Sequence, residues 1–70
     1  MNRAEHLQWC KRRALEYLPH DPQGAVASMI SDLGKHPETA NLTDLGMLGI
    51  CELQSPDPVP GVRKFIEGFA

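Results

Sequence analysis

Six prolines in 70 residues cut this chain into short pieces, and their positions decide which pieces can be helices. A proline lacks a backbone donor and disfavours helical geometry at the residue before it, yet fits the first helical position, where that amide would be unpaired anyway. In YLPHDP, Pro19 therefore ends one helix, and Asp21-Pro22 reads as the cap and first residue of the next. Gly34 followed by Pro37 stops that second helix, and SPDPVPGV forms a turn leading into a last, proline-started one. The expectation is an all-α fold: a single domain over residues 1–70, built as a small bundle of three to four short helices with proline-marked turns.

The residues between the breaks fit this plan. Asn2 and Glu5 form a capping box, after which Leu7, Cys10, Ala14, Tyr17 and Leu18 share one helical face. Val26, Met29, Ile30 and Leu33 repeat at i, i+3, i+4 and i+7, as do Val62, Phe65, Ile66 and Phe69, with Arg63, Lys64 and Glu67 outward. The third segment, Leu42 to Gln54, differs. Its apolar residues surround most of the helix circumference, which predicts one helix buried on several sides, with Gly46 and Gly49 letting another backbone approach. A strand at MLGIC is the rival reading, weakened by poor alternation and by the absence of a second strand-like segment.

With 41% hydrophobic and 23% charged residues the chain is globular in composition, but a domain this small buries only about 60% of its unfolded surface. Oligomerisation is expected to supplement so small a core. Cys10 and Cys51 lie in apolar patterns and read as buried thiols in a reducing compartment. No signal-peptide plan and no apolar run of membrane-spanning length is present, so a cytosolic location without membrane association follows. A net charge of -2 argues against general nucleic-acid binding.

His6, His20 and His36 show no ligand spacing with each other or with the cysteines, His20 reading as a loop residue, and there is no phosphate loop, dinucleotide fingerprint or nucleophile elbow. Neither metal, cofactor nor catalytic residue is expected. Binding is the better prospect. Trp9 projects nearly opposite the Leu7, Ala14 and Leu18 stripe, beside the run Lys11-Arg12-Arg13, and an aromatic next to guanidinium groups suits a protein or nucleotide partner. The alternative is that Trp9 packs within the chain, for example against Phe69. Trp9, Arg12 and Arg13 are the first candidate surface; Lys35, His36, Glu38 and Thr39 are the second. In the second, Asp32 is expected to pair with Lys35 or His36, while Glu38 and Thr39 open the next turn.

The strings RAEHLQW, ASMISDLGKHPET and RKFIEGF resemble, in that order, a group of small uncharacterised proteins encoded by tailed bacteriophages and prophages, with SDLxKHPET the most specific part. The resemblance implies no enzymatic role and transfers no catalytic residue. It implies a small accessory protein in the host cytoplasm acting by stoichiometric binding: a counter-defence or host-modulating factor that inhibits, for instance, a CRISPR effector or sequesters a nucleotide signal. The alternative is a phage-internal, homo-oligomeric assembly module without a host target.

Overall fold

In the computed structural model, which describes residues 2–69, helix α1 spans Arg3–Tyr17, α2 Pro22–Leu33, a 3-10 helix Ala40–Leu45, α3 Gly46–Glu52 and α4 Pro58–Glu67. Among the described residues there is no strand, so the fold is all-α with four helices.

The starts follow local chemistry. The Asn2 side chain accepts from the Glu5 amide at 2.8 Å while Glu5 reaches back to the Asn2 amide, completing the capping box. Asp21 accepts from the Gly24 amide at 2.9 Å ahead of Pro22, and Asp57 caps α4 ahead of Pro58. The stop of α2 works differently from a glycine-led stop. Gly34 keeps right-handed geometry (φ -70°), and the Thr39 hydroxyl turns back to donate to the Leu33 carbonyl at 2.7 Å. Thr39 is thereby fully buried, which removes it from the second candidate surface.

Helices α1 and α2 make the most extensive pairing, and α4 lies against both. Their apolar stripes meet in one core containing Leu7, Leu18, Met29, Leu33, Val62 and Ile66. Tyr17, assigned to the core face by spacing, is exposed, and its neighbour Leu18 takes the buried place at the end of the α1 stripe. Lys11 is held too: its ammonium group donates to the Glu67 and Phe69 carbonyls, anchoring the end of α4 to α1.

Leu42 to Gln54 is not one helix. A 3-10 helix gives way at Gly46 to the seven residues of α3, which touch α2, the 3-10 helix and α4 but not α1. Nor is α3 buried on several sides. The residues it buries are Gly46 and Gly49, and a Cβ at those positions would meet the Ile30 side chain at 2.6 Å and the Phe65 ring at 2.7 Å. The glycines admit side chains of α2 and α4, not another backbone. Among the described residues no helix is long and apolar enough to cross a membrane.

Candidate interaction surfaces

The two sequence-derived surfaces meet on one side of the α1–α2 pair, around a buried carboxylate. Asp32 sits on the inward face of α2 with only 2% of its surface exposed. A carboxylate so placed must be paired. Arg13 donates from Nε at 2.8 Å, Lys35 from Nζ at 3.0 Å and Ser28 from its hydroxyl at 3.4 Å. Burial pushes the Asp32 carboxyl up, but the hydrogen bonds from Lys35 and Arg13 and their charges outweigh it and hold it below the usual carboxylate range. The same bond raises the Arg13 guanidinium further.

Trp9 lies over this cluster. Its ring stacks on His6 at 5.4 Å between centroids, with Arg13 at 4.9 Å and Lys35 at 5.7 Å from the ring centre. His6 is itself buried, donating from Nε2 to the Asp32 carbonyl at 2.7 Å, and its other ring neighbour is His36 at 5.1 Å. Trp9 is half-buried against the core, while the Phe69 ring is met edge-on by Phe65 rather than by Trp9. Trp9, Arg13, Lys35 and His36 thus form one assembly in which aromatic and cations already serve the fold. Arg12 points into solvent without a partner among the described residues, and Glu38 is exposed, its amide donating to His36 Nδ1 at 3.1 Å.

The opposite end of the molecule presents what sequence reasoning missed. With its glycines turned inward, α3 and the residue before it expose Leu45, Met47, Leu48 and Ile50, each between 43% and 66%. Cys51 is exposed as well, which corrects its reading as a buried thiol; Cys10 is buried, and desolvation pushes its thiol up to about 11. Beside these side chains runs an open groove of about 470 Å³ between α3 and α4, with Leu42, Leu45, Leu48 and Phe65 along it and Glu52 and Lys64 among its lining residues. The signal lay in the Gly46/Gly49 spacing: glycines three apart mark the close-approach side of a short helix and leave its large residues on the other.

Among the described residues no group of three or more His, Cys, Asp or Glu side chains is placed to hold a metal ion. Compared with protein-family models, curated proteins and solved structures, the chain has no match.

Proposed function

We propose that this chain is a non-catalytic accessory protein of the phage type that works by stoichiometric protein association through the apolar face of α3 and its groove. The observation that carries the reading is the inversion of α3, with glycine inward and Met47, Leu48 and Ile50 in solvent. Burial of apolar surface drives most association between proteins, and this is where the molecule retains apolar surface to bury. The chemistry favours a protein over a nucleotide. Arg13 and Lys35 already serve Asp32, which leaves Arg12 as the guanidinium on that side with no partner among the described residues, and the α3 groove is mainly apolar.

The resemblance to phage proteins directs the reading towards a counter-defence or host-modulating role. A phage-internal assembly module is favoured by a separate observation: Glu52 and Lys64 both line the groove, and neither has an ion-pair partner among the described residues.

Site-specific photo-crosslinking in bacteria expressing the chain tests the shared claim. A photoreactive residue at position 48 is expected to give discrete adducts, and one at position 12 to give none. Adducts from position 12 with none from position 48 overturn the α3 reading and restore the Trp9 side. The adduct mass separates a host component from a second copy of the chain.

A further inference from the structure

We infer that the occupant of the α3–α4 groove is a second copy of this chain, joined about a two-fold axis so that Glu52 of each copy meets Lys64 of the other. The inference rests on the reading of α3 as an association face and identifies its partner.

Charge is the first argument. A two-fold interface uses the same patch on both sides, so each contact from residue i to residue j recurs from j to i. The groove carries one acid and one base, neither in an ion pair among the described residues, so it is complementary in charge to a copy of itself and one Glu52–Lys64 contact occurs twice. Glu52 lies across α4 at Gly61, where a Cβ would collide with its carboxylate, and Lys64 stands one helical turn further along α4. The side chain of Glu52 therefore reaches the α4 side of the groove, yet makes no ion pair with Lys64 of its own chain.

Area is the second argument. A standard interface removes about 800 Å² from each partner, roughly a fifth of the 4299 Å² this chain exposes. Leu42, Leu45, Leu48 and Cys51 line the groove against α4, with Met47 exposed beside them on α3, and laying the α3 of one copy into the groove of the other covers that set on both copies in one step. A chain too short to enclose a large core gains the missing burial this way.

Sedimentation equilibrium across a range of concentrations tests the inference. The wild type is expected to pass from monomer to dimer, and the double variant Met47→Asp with Leu48→Asp to weaken dimerisation by at least ~30-fold while keeping its helical circular dichroism. Glu52→Lys and Lys64→Glu should each weaken it by at least ~3-fold, because each places like charges opposite one another twice. A one-to-one mixture of those two variants should associate more tightly than either alone, since both contacts in the mixed dimer are again of opposite sign. Alkylation of Cys51 should slow as concentration rises. A chain monomeric up to about 1 mM overturns the inference, as does a dimer indifferent to both the aspartates and the charge reversals. If that monomer instead sediments with anionic lipid vesicles, the face takes a membrane surface. If it is monomeric while position 48 still crosslinks to a host protein, the association face stands and the second copy falls.

Discussion

Helices α2 and α3 are both rich in apolar residues, and they use them in opposite ways. In α2, Val26, Met29 and Leu33 are buried between α1 and α4, with Gln23, Ala27 and Ser31 in solvent. In α3, Gly46 and Gly49 are buried and Met47, Leu48 and Ile50 are in solvent. The difference lies in what each helix rests on. Two long helices flank α2 and take up its large side chains. By contrast α3 sits close on the Ile30 side chain and the Phe65 ring, where nothing larger than glycine fits without movement. Apolar content in a short helix therefore does not report burial; the position of its smallest residues does.

The largest expected effect breaks the comparison if it fails. Met29→Ala removes a side chain with no exposed surface and should cost about 2–5 kcal/mol, most of the roughly 3–5 kcal/mol that a core of this size supplies. Leu48→Ala, equally apolar, should change the stability of dilute monomer by less than ~0.5 kcal/mol. Urea unfolding at low protein concentration reads both, and equal losses would mean that Leu48 is buried in the monomer.

The polar side of α2 gives a smaller effect. Asp32→Asn loses charge-assisted hydrogen bonds from Arg13 and Lys35, and because those cations remain solvated the loss should be about 1–3 kcal/mol at neutral pH. The folded Asp32 carboxyl titrates below its usual value near 3.8. Its stabilising contribution is therefore complete above that value and disappears as pH falls through the lower folded one. The stability gap between wild type and Asp32→Asn should stay level down to about pH 5 and close below about pH 4. A gap that persists into strong acid would show that the carboxylate's charge is not what stabilises the turn.

Much of this contrast was legible in the chain, but unevenly. The caps at Asn2, Asp21 and Asp57 and the stripes of α2 and α4 depend on neighbours a few residues apart, and sequence spacing expresses those directly. The Asp32–Lys35 pair was legible for the same reason. The contact of Arg13 with Asp32 is nineteen positions apart and that of Lys11 with Phe69 fifty-eight, and both depend on how helices dock. Around Trp9 the neighbours His6 and Arg13 come from its own helix at i-3 and i+4, which spacing expresses, whereas Lys35 comes from the turn after α2, which it does not. In α3 burial on several sides was expected, and the direction it does bury was not marked, since an all-round apolar helix has no polar face to show the outside.

That direction can be tested at the two glycines, where the expected effects are smallest. Alanine at either site gains about 0.8–1.0 kcal/mol of helix propensity. At Gly46 the new methyl meets Cδ1 and Cγ1 of the half-buried Ile30 side chain at 2.6 and 2.8 Å, and shifting that aliphatic chain offsets the propensity, so Gly46→Ala should be close to neutral. At Gly49 it meets three adjacent atoms of the Phe65 ring at 2.7–3.0 Å, and that ring is packed perpendicular to Phe69. Moving it costs about 1–3 kcal/mol, so Gly49→Ala should be destabilising by about 1 kcal/mol net. Thermal unfolding separates the two. If Gly49→Ala is tolerated as well as Gly46→Ala, α3 does not rest on Phe65, its inward face is not the glycine face, and the exposure of Met47 and Leu48 loses its structural cause.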